Sequence, residues 1–125
     1  MQLTHQRQRV FIFIFGILFA ISPAYCINTY FVATDGNDSS TTGDINHPYK
    51  TINKGVSMVA AGDTLYVRGG TYAYTGSSTA ITLSVSGTSP NNRCSLIGYN
   101  GERPLVDFSA MTGTGADGLK INGSY

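Results

Sequence analysis

Cysteine is nearly absent from this chain: Cys26 and Cys94 are the two in 125 residues, which excludes a disulfide framework. If Cys26 leaves with an N-terminal leader, Cys94 becomes a lone thiol and reads as a small buried hydrophobe rather than a nucleophile. Charge is scarce too, with eight basic against seven acidic residues, and without Arg7 and Arg9 the balance is six against seven, a net of −1. Such a sequence carries no basic stripe for nucleic acid and no basic amphipathic helix for a membrane surface, so a neutral or anionic soluble partner is what remains. Neither a Gly-x-Ser-x-Gly elbow nor a phosphate-loop pattern occurs. No apolar run reaches the roughly 20 residues of a membrane span. The nearest, Val10 to Ile21, is broken only by Gly16 and stops at Ser22-Pro23.

That run follows a segment bearing His5, Arg7 and Arg9 and no acid, so residues 1–26 read as a secretory signal peptide and place the protein outside the cell. Cleavage after Ala24 puts Ser22 at the −3 position, and cleavage after Cys26 puts Ala24 there; the residues do not choose. Lipidation of Cys26 is a third route, disfavoured by the bulk of Tyr25 in front of it. About a hundred residues, 27–125, are left for one domain.

What the chain has is turn residues and short alternating runs. In Gly62-Asp63-Thr64-Leu65-Tyr66-Val67-Arg68-Gly69-Gly70-Thr71-Tyr72, glycines bracket a strand in which Leu65 and Val67 alternate with Tyr66 and Arg68. Tyr30 to Ala33 is an earlier strand, and Thr34 to Asp44 a polar loop. Tyr49, Ile52, Val56 and Val59 recur at helical spacing, with Pro48 suited to the first turn and Gly62 to a left-handed cap, so a helix is expected over 49–60. After it come five strand candidates, Thr64 to Val67, Ala80 to Ser86, Cys94 to Tyr99, Pro104 to Ser109 and Gly118 to Asn122, separated by turns. Ile81, Leu83 and Val85 are expected inward with Thr82, Ser84 and Ser86 outward, and Leu119 and Ile121 repeat the pattern about Lys120. Strand spacing of this kind suits a meander as well as the successive faces of a coil.

The order and spacing of Asp35-Gly36-Asn37-Asp38, Pro48-Tyr49-Lys50-Thr51-Ile52, the Gly62 to Tyr72 run, Gly87-Thr88-Ser89, Gly101 to Ser109 and Gly118 to Tyr125 resemble the start of secreted right-handed parallel β-helix proteins. Within the pectate-lyase-like group the chain is most similar to the family-nine polysaccharide lyases, from about residue 30 to the end. The resemblance implies an all-β fold, the N-terminal coils of a right-handed parallel β-helix, with the 49–60 helix capping the open end so that apolar stacking positions and unpaired edges are covered. It also implies β-elimination on an acidic polysaccharide such as pectate, with Ca²⁺ held by an aspartate cluster and a Lys or Arg as base. Those groups lie on later coils in the family, and no position here matches them, so no catalytic or metal-binding residue is carried over and the substrate-binding residues are unknown. Five strands make fewer than two turns of a three-strand coil, so the chain is expected to be the N-terminal part of a longer protein and inactive alone. The alternatives are a non-catalytic glycan-binding or cell-surface β-helix module and a small independent β-sandwich.

The chemistry-bearing residues are scattered. The acids are Asp35, Asp38, Asp44, Asp63, Glu102, Asp107 and Asp117. The loop from Asp35 has Ser40 and Asn46 where a calcium loop of the EF type needs Gly and Glu, so Asx turns are the better reading. Asp63 belongs to the turn after the helix. Asp107 and Lys120 form either an ion pair, a piece of substrate groove or two solvated charges. His47, before Pro48, is the only histidine left once residues 1–26 are removed, and no acid cluster completes a metal site with it. Tyr66, Tyr72, Tyr74 and Tyr99 are candidates for stacking on sugar rings, or simply strand residues. Asn37-Asp38-Ser39 and Asn122-Gly123-Ser124 fit the N-glycosylation sequon.

Overall fold

The computed structural model describes residues 27–87, 89 and 92–123. The signal-peptide reading of residues 1–26 falls outside them. Seven strands and one helix follow in the order β1 (Thr29–Val32), α1 (Ile52–Met58), β2 (Thr64–Val67), β3 (Gly70–Gly76), β4 (Ile81–Leu83), β5 (Ser95–Gly98), β6 (Pro104–Met111) and β7 (Leu119–Ile121). Strands β1-β2-β5 form one parallel sheet (sheet A), β3-β6 a second (B) and β4-β7 a third (C). Each circuit of the chain therefore lays β2-β3-β4, then β5-β6-β7, on the three faces of a coil, with β1 beneath the first circuit.

Because side chains alternate along a strand, an in-register parallel stack lines up its inward residues. Tyr30, Leu65 and Leu96 stand in one line and Val32, Val67 and Gly98 in the next. Tyr72 stands over Val106 in sheet B, while Ile81 and Leu83 stand over Leu119 and Ile121 in sheet C. Ile81 is buried, Leu83 and Val85 half-buried, and Thr82, Ser84 and Ser86 exposed, in keeping with the expected alternation. Burial falls along the axis: Leu65 is 1% exposed but Leu96 38%, and Ile81 2% but Leu119 47%. The first circuit is covered by β1 and α1; among the described residues nothing covers the second.

The helix is shorter than the sequence suggests. Tyr49 is drawn out of it into a parallel bridge with Val32, donating its N–H to the Phe31 carbonyl at 2.9 Å and accepting from Ala33 N–H at 2.8 Å. Pro48 therefore precedes the helix, and Thr51 is the N-cap, its hydroxyl accepting from Lys54 N–H at 3.2 Å, an arrangement worth about 1 kcal/mol. Val59 is already extended, so Gly62 does not cap the helix; at φ +92° it serves the separate turn closed by Asp63 N–H on the Ala60 carbonyl. The apolar stripe nevertheless holds, with Tyr49, Ile52, Val56 and Val59 all at or below 7% exposure. Burying side chains of this size contributes roughly 1.5–3 kcal/mol each.

A strand was hidden behind Gly69-Gly70, a pair that reads as a terminator. Gly70 is both the corner, at φ +134°, and the first residue of β3, whose Thr71, Ala73 and Thr75 face out while Tyr72 and Tyr74 pack on the core. Among the described residues six strands, not five, thus follow α1, and they complete two circuits rather than fewer.

Gly55 lets α1 lie close on the coil. A Cβ there would fall 2.6 Å from Val32 Cγ2 and 2.8 Å from Leu65 Cδ2. Helix propensity alone favours Gly→Ala by about 1 kcal/mol. Gly55→Ala should instead destabilise by about 1–3 kcal/mol through overpacking, seen as a lower urea midpoint; a raised midpoint would show that α1 does not pack on these strands.

Candidate functional site

Alternation that sends Tyr30 and Leu65 inward sends Phe31 and Tyr66 to the outer face of sheet A, where register sets them opposite one another. Their rings stack at 5.5 Å between centroids and 25°. Tyr99, just beyond β5, meets both edge-on, at 5.4 Å from Phe31 and 5.6 Å from Tyr66. All three rings are half-buried. Edge-to-face and offset contacts of this kind contribute about 0.5–1.5 kcal/mol per pair beyond area, so the cluster ties three successive strands together from outside.

Arg68 leaves β2 beside this cluster with its guanidinium 5.8 Å from the Tyr99 centroid and Nη2 3.1 Å from Glu102 Oε1. The other carboxylate oxygen of Glu102 accepts Gly69 N–H at 2.6 Å. The Gly69 N–H, followed by Arg68, holds the Glu102 carboxyl below its ordinary value, and the Glu102 hydrogen bond holds Arg68 above its own. Glu102, on the turn after β5, thus clamps the corner after β2.

Two of the four candidate tyrosines, Tyr66 and Tyr99, reach this outer surface. Tyr72 does not: it is 6% exposed, its hydroxyl donates to the Arg68 carbonyl at 2.9 Å, and burial pushes its pKa up to about 12. Tyr74 packs on Phe108 inside the coil at 5.6 Å, and burial raises its pKa as well. Phe31 was not singled out in the sequence, although its place after an inward Tyr30 signals it.

The acids are employed one by one in the backbone. Asp38 accepts from Lys50 N–H, Thr51 N–H and the Thr51 hydroxyl at 2.8, 2.9 and 2.8 Å, pinning the polar loop to the start of α1. Asp63, 1% exposed, accepts Asn28 N–H and Ala60 N–H, both at 2.8 Å, so the turn residue of the sequence reading is also a buried clamp between β1 and the turn. Asx turns appear at Asn37, whose side chain accepts Ser39 N–H, and at Asp44, which accepts from Asn46 and His47. The Thr42 hydroxyl, then the Asn46 and His47 N–H groups, bring the Asp44 carboxyl down to about 2. His47 is exposed, Nδ1 3.2 Å from Asp44 Oδ1. Asp107 sits on sheet B accepting Ser109 N–H, and Lys120 on sheet C beside Thr82, so the two do not pair. Cys94 is half-buried, and burial, then the Asp63 charge, raise its pKa, which makes it a poor nucleophile.

Calcium needs six to eight converging oxygens. Among the described residues no three of His, Cys, Asp or Glu converge, and the carboxylates of Asp38, Asp63 and Glu102 are taken up by backbone N–H groups, so these residues do not fit that ion.

The family model of the Pel9A-like right-handed β-helix region matches residues 30–125, the span over which the coil is seen. The chain belongs to the Pel9A-like right-handed β-helix family. That settles the fold as a right-handed parallel β-helix. The chain is 36% identical over 106 residues to pectate lyase PEL9 of Emericella nidulans and 35% identical over 108 residues to pectate lyase L of Paenibacillus polymyxa. Each match takes in 85% of this chain but only 24% and 23% of the relative, so the chain spans about a quarter of their length. A solved structure, XylC in complex with xylose, is similar at 32% identity with a TM-score of 0.53, over 61% of this chain and 11% of that one. The chain is a polysaccharide-lyase-related β-helix module.

The Asp38 clamp carries a pH signature. Burial raises its carboxyl, but the Thr51 N–H and hydroxyl, the Lys50 N–H and the Lys54 charge outweigh that and leave it below the usual 3.8. A folded-state value below the unfolded one means that its stabilisation is complete above the unfolded value and is lost as pH falls through the folded one. Asp38→Asn should therefore cost about 1 kcal/mol at neutral pH. The gap from wild type in thermal melts should narrow as pH is taken below the ordinary carboxyl value of 3.8; a gap that stays constant on acidification would contradict the clamp.

Proposed function

We propose that this chain forms the capped opening coils of an exported polysaccharide lyase that cleaves uronate polymers by β-elimination, and that it is inactive by itself. The observation that carries the reading is the family match across residues 30–125, supported by two relatives that are pectate lyases. In such a reaction a base removes the proton alpha to the uronate carboxylate, the glycosidic C–O bond at the adjacent carbon breaks, and an unsaturated sugar is left. On this reading the base and the metal ligands lie on further coils, in keeping with the lack of three converging His, Cys, Asp or Glu among the described residues. The part of these residues is to start the coil: α1 covers its end, and Asp38, Asp63 and Glu102 lock its corners.

A second reading is favoured by the outer aromatic cluster. Half-exposed rings of Phe31, Tyr66 and Tyr99 offer a surface on which a pyranose can stack. On that reading this portion holds the polymer without cutting it.

One experiment separates them. Polygalacturonate with Ca²⁺ should give rising ultraviolet absorbance with a protein in which these residues are joined to further coils of a family relative, and none with the 125-residue chain. No rise with the longer protein would defeat the lyase reading. Retardation of the 125-residue chain in a polygalacturonate gel, lost in Tyr66→Ala and Tyr99→Ala, would favour binding.

A further inference from the structure

We propose that Asn37 is an acceptor for an N-linked glycan. The sequon Asn37-Asp38-Ser39 has a permitted middle residue and lies in the polar loop between β1 and α1, where Asn37 and Ser39 are both exposed. The backbone at Asn37 is fixed: its N–H donates to the Pro48 carbonyl at 2.9 Å, and its carbonyl accepts Ser40 N–H at 3.0 Å. The side-chain Oδ1 accepts Ser39 N–H at 2.9 Å, which orients the amide and leaves Nδ2, the atom that is modified, without a partner in the described residues.

The surroundings have room for a sugar. Asn37 borders an open cleft of about 490 Å³ whose lining includes Asp35, Ser39, Thr42, Asn46, His47 and Pro48, which leaves space beside the side chain for the first sugar residue. The middle residue does not compete, because the Asp38 carboxylate is turned onto Lys50 and Thr51. None of the core side chains lies in the sequon, so a glycan at Nδ2 leaves the coil and its cap undisturbed. The second sequon, Asn122-Gly123-Ser124, ends outside the described residues, and Asn122 continues the sheet C ladder by donating its N–H to the Leu83 carbonyl. It receives no assignment.

The donor is an oligosaccharide linked through pyrophosphate to a membrane lipid. Asn37 Nδ2 bonds to the anomeric carbon and gives up one proton, while the bond from that carbon to the pyrophosphate oxygen breaks and the lipid pyrophosphate departs with the electron pair. No oxidant or reductant enters. The proposal rests on the export reading, and the test separates the two by supplying export independently.

The 125-residue chain is expressed in yeast behind the host's own secretion leader, and the product is treated with peptide N-glycosidase and mapped by mass spectrometry. Most of the exported chain should carry a glycan whose removal converts the amide at position 37 to the acid. Asn37→Gln and Ser39→Ala should each abolish it, Ser39→Thr should keep it, and Asn122→Gln should leave position 37 modified. An exported wild-type chain with an unmodified Asn37, or a glycan that survives Asn37→Gln at unchanged mass, would overturn the assignment.

Discussion

A strand in a parallel coil satisfies its backbone only through the circuits before and after it, and the whole of this structure depends on keeping those circuits in register. Sheet A sets the register: Thr64 stands opposite both Thr29 and Ser95, and Val67 opposite both Val32 and Gly98. A slip of one residue would send Leu65 and Val67 to solvent and bring Tyr66 into the lumen. The first circuit therefore needs a neighbour on its outer side. Strand β1 supplies the hydrogen bonds and α1 the apolar cover.

Register is then locked at the corners by carboxylates. Asp63 and Glu102 each accept backbone N–H groups across separations of about a third of a hundred residues, Asn28 to Asp63 being 35 apart and Gly69 to Glu102 33. Asp38 does the same for the approach to α1. With so few charged residues in the chain, spending several of the acids on backbone donors goes with the lack of a converging cluster among the described residues. The aromatic trio on the outer face of sheet A adds a fourth tie between the same strands, and it is the one tie that also offers a surface.

Much of this was legible along the chain. Strand β2 was read with its observed bounds because glycines bracket it and its alternation is clean. The cap stripe was right in its residues and wrong in its helix, since Tyr49 has helical spacing but finds a better backbone partner in β1. Strand β3 went unread because Gly70 serves two roles at once, and local rules assign it only the first. Tyr72 and Tyr74 stayed open between stacking on sugars and plain strand residues because strand facing depends on where the corner falls, and the corner depends on that same glycine. The clamps of Asp63 and Glu102 and the Phe31 contact were invisible for another reason: they join residues brought together only after a full circuit, a distance no local pattern spans.

The family places the module among polysaccharide-lyase-related β-helices, and the geometry shows a coil in register whose first circuit is covered by β1 and α1. Amide hydrogen exchange tests that most directly. The N–H groups of Thr64, Arg68, Ser95 and Tyr99, which donate to Asn28, Val32, Asp63 and Val67 of the preceding circuit, should be among the slowest to exchange and should lose protection together. If Thr64 and Arg68 exchange as fast as the turn residues Ser77 and Ser78, β1 and α1 do not hold the first circuit in place, and the account fails.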